Sequence, residues 1–279
     1  MEWVNTVREA LKLAESKGLA YCNSAGAKTD VRRLATDLGV DRLELRPMEE
    51  HALSIKRRDG HFTVFLNSSQ HRLRHRFSLA HEIAHILLTP IFGQQTYHRS
   101  TFSPDQDPLG KRREKLCDQM AALILMPTQR LFATVDDFPQ SAACVPGIAK
   151  QFDVSFEAAA RRFLKLTPIP CAMLVWRPDP HGRFLPLQSA TCNAGISMHS
   201  VALATPPGRL LQASRALRAS EMVVSSEFVE LVYRRGRSSS VGHLPDAKVE
   251  SLGFGTGLYR RIFSFVYMPT KTGTLDQTS

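Results

Sequence analysis

The sequence predicts an α+β protein, and three observations lead to this fold class. Apolar residues recur at helical spacing in several segments, beginning with residues 1–18. Two strand-like runs flank Asp59-Gly60, a residue pair typical of a β-hairpin turn. After residue 167 strand-like runs dominate, separated by Gly, Pro and Asp turns. We therefore expect an N-terminal domain of helices around a hairpin, followed by a second domain that is also α+β.

Length and composition limit the class of protein. The chain has 279 residues, enough for one large or two ordinary domains, and 43% of them are hydrophobic, as in a globular protein. No apolar run approaches the roughly 18 residues that span a membrane, and the N-terminus lacks the apolar core of a secretory signal. The five cysteines are scattered without a Cys-x-x-Cys pair, so a disulfide framework or a thiolate zinc ribbon is not expected. These features predict a soluble, cytoplasmic protein with no membrane partner.

The formal net charge of +10 favours an anionic partner, either nucleic acid or an acidic protein. The basic residues form only short runs, at 71–76, 110–115 and 233–237, and there is no long basic tail. They do not indicate sequence-specific reading of DNA, so DNA binding is not expected to be the primary function.

Residues 1–140 predict helices that flank a single hairpin. The expected elements in order are helix 1–18, helix 30–38, strand 43–48, the hairpin over residues 51–69, helix 73–88 and helix 111–125. Asp30 is the predicted N-cap of the second helix. Pro90 and Pro127 are expected to end the last two helices, because proline lacks the backbone N–H. The segment 89–110 is loop-like, and a loop of that length is usually functional or mobile.

Residues 145–166 predict two short helices joined at 153–155, with Ser155 as the N-cap of the second. This pattern resembles a helix-turn-helix, which either reads DNA or serves as a helical packing unit, and we favour packing. The predicted domains are residues 1–140, a helical linker over 141–167, an α+β domain over 168–269 and a disordered tail over 270–279.

The strand-like runs of the last domain are separated by turn residues. They are CAMLVWRP, FLPLQSATC, EMVVSSEFVELVYRR and RIFSFVYMP, and GRLLQASRALRAS is expected to hold a short helix.

The stretch FSLAHEIAHILLTP, residues 77–90, carries titratable side chains in an otherwise apolar run. On a helix His81 and His85 lie on one face, so both imidazoles reach one cation. Glu82 points roughly 100° away around the helix, beside the metal, where a general base takes the proton of metal-bound water. This spacing predicts a catalytic zinc site with two histidine ligands and Glu82 as the base. Manganese is the alternative ion.

A catalytic zinc takes three protein ligands and keeps one position for water, so a third ligand is needed. The spacing offers His98, Glu114 and Asp118. Glu114 is the best candidate, because it begins a second amphipathic helix after the loop. Asp118 lies one turn further on the same face, where a carboxylate receives the N–H of a ligating histidine. The alternative is that both are ordinary surface acids.

The run RHRFSLAHEIAHILL, followed by EKLCDQMAALILMP, resembles the ImmA/IrrE-type metallopeptidases. Their signature is a helix reading R-F-T/S-x-A-H-E-x-x-H and then a helix reading E-x-x-A-x-x-F-A-x-x-L-L-M-P. The matching residues are Arg76, Phe77, Ala80, His81, Glu82, His85, Glu114, Ala121, Leu125, Met126 and Pro127. The chain departs from the signature at three apolar positions, Cys117, Met120 and Ile124.

The resemblance implies a fold and a function. It implies a zincin-like metallopeptidase domain, a helix-turn-helix-like linker and a GAF-like C-terminal domain that either binds a small molecule or protein or serves packing. It implies zinc held by His81, His85 and Glu114, with Glu82 passing the water proton to the leaving amine and Asp118 orienting a histidine. The implied activity is zinc-dependent cleavage of a helix-turn-helix transcriptional repressor, which releases stress-response or mobile-element genes.

Other interpretations stay open at this point. Tyr97 and His98 are candidate oxyanion donors by position alone, and plain loop residues are the favoured alternative. A different class is a DNA-binding transcriptional regulator in which residues 145–166 read DNA and the zinc site is structural or vestigial. The intact Glu82 argues against this class, because a structural site needs no base and is usually closed by four ligands. A third interpretation is a peptidase that is dormant until its C-terminal domain is occupied.

Overall fold

The structure is a computed structural model, and its described residues form helices and two β-sheets, which confirms the α+β class. It describes residues 2–22, 28–92, 108–134, 141–178, 184–192, 225–234, 241–254 and 261–267. Two compact units are present. The first comprises Met1–Asp137 and Pro146–Ala159, and the second comprises Phe138–Val145 and Ala160–Ser279.

A three-stranded sheet with the order β1-β3-β2 lies in the first unit. Its strands are β1 (Val40–Arg46), β2 (Ala52–Lys56) and β3 (Phe62–Asn67). The pairing of β2 with β3 is antiparallel and confirms the predicted hairpin. Gly60 in its turn has a φ of 89°, a conformation that glycine adopts without steric cost. The pairing of β1 with β3 is parallel, and it leaves β2 at an edge of this sheet.

Helices pack against this sheet and against one another. They are α1 (Glu2–Ala20), α2 (Val31–Asp37), α3 (Arg72–Phe92), α4 (Pro108–Leu125) and α5 (Thr128–Thr134). Helix α3 contacts α4 and the sheet, and α4 also contacts α1. Val64 and Leu66 of β3 are buried, as are Leu79 and Ile83 of α3. None of the helices in the described parts of the chain is both long enough and apolar enough to cross a membrane.

Two predicted helix ends differ from the structure, and one cap agrees with it. Helix α3 continues through Pro90 to Phe92, so the predicted stop is wrong. Proline removes only its own N–H donor, and the two residues after it keep theirs. Helix α4 begins at Pro108 rather than at residue 111, because proline suits the first helical position, where no intrahelical donor is needed. The Asp30 side chain accepts a 3.0 Å hydrogen bond from the Arg33 amide and caps α2 as predicted.

Two short helices, α6 (Val145–Phe152) and α7 (Phe156–Leu166), follow a 3₁₀ turn at Ala142–Cys144 and confirm the predicted helix pair. The Ser155 hydroxyl accepts a 3.1 Å hydrogen bond from an amide of α7, as expected of its cap. Asp153, between the helices, has a positive φ of 53°. Its carboxylate contacts Lys28 at 2.7 Å and Arg72, at the start of α3, at 2.8 Å. A helix-turn-helix function for this segment stays a prediction.

The second unit contains a five-stranded antiparallel sheet with the order β5-β4-β8-β7-β6. Its strands are β4 (Cys171–Pro178), β5 (Phe184–Cys192), β6 (Ser225–Arg234), β7 (Val241–Phe254) and β8 (Arg261–Tyr267). Four of these strands fall in predicted runs, whereas β7 was not predicted. It contains Pro245 and Asp246, which resemble a turn in the sequence but lie at a register shift between β6 and β7. The predicted helix within residues 208–220 and the tail at 270–279 lie outside the described residues.

A buried carboxylate anchors the 3₁₀ turn of the second unit. Glu250 is 2% exposed, and its Oε2 accepts hydrogen bonds from the Ser141 hydroxyl, the Ala142 amide and the Tyr267 hydroxyl at 2.8–2.9 Å. Its Oε1 lies 2.6 Å from Nζ of Lys248. Burial acts to raise the pKa of Glu250, but these donors outweigh it and hold the pKa below its usual value.

Candidate active site

Helix α3 carries the residues of the HExxH motif on the side that faces a cleft. His81 and Glu82 are 5% and 7% exposed, and His85 is partly buried. Positions 81 and 85 are four residues apart, so the two rings lie one helical turn apart, edge to face, with centroids 4.9 Å apart. The remaining face of this part of the helix packs into the core through small and branched apolar residues, Ala80, Ile83 and Ala84.

Helix α4 brings Glu114 to these histidines. Nε2 of His85 lies 3.1 Å from Nε2 of His81 and 3.1 Å from Oε1 of Glu114. Nε2 of His81 lies 3.2 Å from Oε2 of Glu114. Within the described residues, these three side chains form the cluster with donor atoms close enough to share one metal ion, all within 4.8 Å of one another.

The donor set of this cluster fits a divalent transition metal. Two imidazole nitrogens and a carboxylate are the ligands of one class of catalytic zinc site. Donors placed about 2.0–2.1 Å from a tetrahedral ion lie about 3.3 Å from one another. The separations of 3.1–3.2 Å among His81, His85 and Glu114 are close to this value. His81, His85 and Glu114 are therefore the residues that could hold the metal.

The Nδ1 atoms of both histidines, which point away from the other donor atoms, also have partners on α4. Nδ1 of His81 lies 2.9 Å from Oδ1 of Asp118, and Nδ1 of His85 lies 3.5 Å from the buried Sγ of Cys117. A partner on Nδ1 fixes the ring orientation and leaves Nε2 to face the third donor. Glu114, Cys117 and Asp118 share one helix face because they are three and four residues apart.

The carboxylates of α4 favour positive charge at His81, which a proton supplies until a metal ion displaces it. Burial acts to lower the pKa of His81, but the hydrogen bonds to Asp118 and Glu114 outweigh it and raise this pKa to about 9. Burial acts to raise the pKa of Glu114, but the hydrogen bonds from His81 and His85 outweigh it and hold the pKa well below its usual range. Burial raises the pKa of the Cys117 thiol, which keeps this group neutral at physiological pH.

Glu82 lies in the same cleft, next to the edge strand of the sheet. The hydroxyl of Ser54 in β2 donates a 2.6 Å hydrogen bond to Oε2 of Glu82. Both residues line the cleft together with His81, His85 and Glu114. The cleft therefore holds a candidate metal cluster and a carboxylate whose orientation is set by a strand. Tyr97 and His98, the predicted oxyanion candidates, lie outside the described residues.

Sequence reasoning missed two of these contacts. Ser54 lies in a short strand with no motif, and its meeting with Glu82 depends on how β2 packs against α3, which local patterns do not reveal. Cys117 was seen only as a departure from the family signature. Its spacing of three residues from Glu114 was the available signal, because it places the thiol on the same helix face as the carboxylate.

Comparison with known proteins assigns the N-terminal part of the chain. Residues 31–164 match the model of peptidase family M78, described as an IrrE N-terminal-like domain. This part of the chain, 134 of 279 residues, is similar to the domain of that metallopeptidase family. The matched range includes α3 and α4, and with them the HExxH motif and Glu114. A metal ion is therefore implied by the family as well as by the donor cluster.

The relatives include two proteins named radiation response metalloprotease IrrE. The one from Deinococcus radiodurans is 29% identical over an alignment of 126 residues that covers 43% of this chain and 38% of that protein. The one from Deinococcus deserti is 26% identical over an alignment of 207 residues that covers 65% of this chain and 72% of that protein. The chain thus matches well under half of the length of the D. radiodurans protein.

A solved structure with a similar fold is titled Mycobacterium tuberculosis transcriptional regulator. The similarity covers 94% of this chain and 76% of that one, with a TM-score of 0.55 and 12% sequence identity. At this level of identity the similarity concerns the fold alone.

Proposed function

We propose that the chain is a zinc-dependent endopeptidase in which His81, His85 and Glu114 hold the metal. The observation that carries the proposal is the close approach of the two histidine Nε2 atoms to each other and to the two oxygens of Glu114, at 3.1–3.2 Å, on two helices inside the M78 match. Manganese is the alternative ion, because imidazole and carboxylate donors also bind it.

The remaining residues of the cleft have defined tasks in this proposal. A bound zinc ion would supply a Lewis acid that lowers the pKa of water and polarises the scissile carbonyl. Glu82 accepts the proton of the attacking water and later donates it to the leaving amine. Ser54 holds Oε2 of Glu82, which leaves Oε1 to accept the proton of the water. Asp118 fixes the His81 ring through its Nδ1.

The proposed substrate is a helix-turn-helix transcriptional repressor, whose cleavage derepresses stress-response or mobile-element genes. The similarity to radiation response metalloproteases supports this choice. The proposal places the activity in the cytoplasm, where such a repressor meets DNA. It also assigns residues 141–167 to a helix-turn-helix-like linker that serves packing. The C-terminal sheet is assigned to a GAF-like domain that binds a small molecule or a protein.

Cleavage of a neighbouring repressor tests this function. We expect the zinc-loaded chain to cut a helix-turn-helix repressor encoded beside its gene, and the Glu82→Gln variant to keep its zinc but leave the repressor intact. Mass spectrometry of the fragments identifies the bond. Equal cleavage by Glu82→Gln would refute the role of Glu82 as the base.

The alternative, a DNA-binding regulator, has less support. Burial of Phe152, Phe156 and Phe163 is expected of a packing unit and of a DNA-binding pair alike, but Asp153 between the helices is tied to α3 by Arg72. Fluorescence anisotropy with duplex DNA separates the two functions. The peptidase proposal predicts weak binding with a steep salt dependence and no sequence preference. Tight, sequence-selective binding at physiological salt would favour the regulator.

A further inference from the structure

Three hydroxyl side chains line the described part of the cleft that holds Glu82, and two of them donate to partners within the chain. Ser54 donates its hydrogen bond to Glu82. Thr89 donates to the carbonyl oxygen of His85 at 3.1 Å, four residues earlier on α3, which is a common hydrogen bond of threonine in helices. The protons of these two hydroxyls are therefore already used within the fold.

The third hydroxyl, that of Ser78, has no hydrogen-bond partner among the described residues, although Ser78 is only 3% exposed. A serine in the middle of a helix ordinarily points to solvent or donates to the carbonyl four residues earlier. Ser78 does neither. A buried polar group without a partner costs free energy, so the hydroxyl at this position calls for a reason other than the packing of the fold.

Ser78 lies beside the proposed chemistry on α3. It precedes Glu82 by four residues, so the two side chains share one face of the helix and their Cβ atoms are about 5–6 Å apart. Ser54 holds Oε2 of Glu82 from β2. The Ser78 hydroxyl thus lies to one side of the proposed general base, at a distance that corresponds to one to two residues of extended peptide at about 3.4 Å each.

A second small side chain lines the cleft at the same end of α3. Nε2 of His75 lies 2.8 Å from the carbonyl oxygen of Asn67, so the start of α3 is close to the end of β3. Ala52, the first residue of β2, pairs with Leu66 near that end of β3. Ala52 and Ser78 both line the cleft. Small side chains on β2 and on α3 favour the close approach of a peptide main chain.

We propose that the Ser78 hydroxyl donates a hydrogen bond to a main-chain carbonyl of the bound substrate, one to two residues from the scissile bond. The inference rests on the proposed peptidase function and adds a substrate-binding residue to it. A hydroxyl suits this contact, because every peptide offers a carbonyl there whatever its sequence. The inference also explains the buried hydroxyl, since its partner arrives with the substrate.

Ser78→Ala separates this role from a structural one. Alanine removes an oxygen that has no partner in the described fold and is the better helix former, so the melting temperature should equal or exceed that of the wild type. Peptide binding should weaken nonetheless. A structural serine predicts the opposite, a lower melting temperature with unchanged binding. Ser68→Ala is the matched control, because it removes the hydroxyl of an exposed turn residue that does not line the cleft.

Fluorescence anisotropy of fluorescein-labelled decapeptides measures the binding. A synthetic library is screened against the zinc-loaded, full-length Glu82→Gln chain, which lacks the proposed base, and the tightest peptide is kept. Adding Ser78→Ala to this chain should raise the dissociation constant about fivefold, as expected for the loss of a hydrogen bond between uncharged groups. Adding Ser68→Ala should leave it unchanged. Ser78→Thr keeps the hydroxyl and should retain most of the affinity.

Ester replacement within the peptide locates the contact. Each amide of the selected decapeptide is replaced in turn by an ester, whose carbonyl is a weaker hydrogen-bond acceptor. One or two adjacent esters should weaken binding when Ser78 is present and should have no effect in the Ser78→Ala chain. An ester that disturbs any other contact should weaken binding equally in both chains, because the two changes are then independent.

Two outcomes would overturn the inference: equal binding of the peptide with and without Ser78→Ala, or ester effects that are the same in both chains at every position. A chain that binds none of the peptides would contradict the inference and the proposed function together. Failure of the proposed function alone looks different. The wild-type chain would then make no cut in the peptide that is missing with Glu82→Gln, while binding would still depend on Ser78.

Discussion

In the first unit of the fold, Nδ1 of His81 lies 2.9 Å from Oδ1 of Asp118, while Nε2 of the same ring faces Glu114 at 3.2 Å. The imidazole is held between two carboxylates of one helix, four residues apart. One carboxylate belongs to the candidate metal cluster, and the other sets the direction in which the ring points.

This relationship predicts that Asp118 controls metal affinity. Replacement by Ala leaves the three donors in place but frees the His81 ring, so we expect zinc affinity to fall about 10-fold to 100-fold. Chelator competition measures the dissociation constant. Lys115→Ala, an exposed position on the same helix, is the control and should bind zinc as the wild type does. An Asp118→Ala affinity within twofold of the wild type would show that this carboxylate does not position the ligand.

Ser54 is predicted to act through Glu82 rather than on the metal. Loss of its 2.6 Å hydrogen bond in Ser54→Ala frees the carboxylate to rotate, so kcat should fall by about tenfold, in line with a hydrogen bond to a charged group. KM and zinc content should stay unchanged. Ser54→Thr keeps the hydroxyl and should retain most of the activity. A raised KM with unchanged kcat would assign Ser54 to substrate binding instead.

The ion pairs of Asp153 predict a pH-dependent contribution to stability. Burial acts to raise the pKa of Asp153, but Lys28 and Arg72 outweigh it and lower the pKa from its ordinary value. The pKa of Asp153 is lower in the folded chain than in the unfolded chain, where it is about 3.9. The stabilisation by the ionised carboxylate is therefore present above pH 3.9 and is lost as the pH falls through the folded-state pKa. Asp153→Asn, which tolerates the positive φ, should lower the free energy of unfolding at pH 7 by about 1–2 kcal/mol.

Chemical denaturation at several pH values checks this prediction. The difference between wild type and Asp153→Asn should shrink between pH 5 and pH 3. Glu49→Gln removes an exposed acid and should change the stability by less than about 0.5 kcal/mol. A difference that is constant with pH would mean that the charge of Asp153 contributes nothing.

Glu250 is expected to hold the 3₁₀ turn onto the sheet of the second unit. Glu250→Ala removes the acceptor of the Ser141 and Tyr267 hydroxyls and leaves the Ala142 amide with the Tyr267 hydroxyl oxygen, so unfolding of this unit should become easier by about 2 kcal/mol, whereas Glu250→Gln should cost less. Trp176 is fully buried in this unit, and in a Trp3→Phe background it is the tryptophan that reports its unfolding by fluorescence. Equal stability of Glu250→Ala and the wild type would remove the anchoring role.

The parts of the fold that local patterns determine were predictable. The hairpin around Asp59-Gly60 and the helix pair joined at residues 153–155 depend on turn residues and on apolar spacing within a few positions. The parallel pairing of β1 with β3 depends on contacts between strands separated by β2, which spacing does not encode. Strand β7 was missed because Pro245 and Asp246 resemble a turn until the register shift accommodates them.

The same division applies to the candidate site. His81 and His85 follow from helical geometry, and Glu114 was chosen because it begins a second amphipathic helix. The contact between Ser54 and Glu82 joins residues 28 positions apart and depends on tertiary packing.

Zinc content per chain tests the central claim most directly. The wild type, His85→Ala and Glu82→Gln are purified, loaded with zinc, dialysed and subjected to elemental analysis. The two substituted positions lie less than one helical turn apart. The proposed site predicts one zinc per chain in the wild type and in Glu82→Gln, and a loss of bound zinc in His85→Ala. Unchanged zinc content in His85→Ala would contradict the assignment of His81, His85 and Glu114 as the metal ligands.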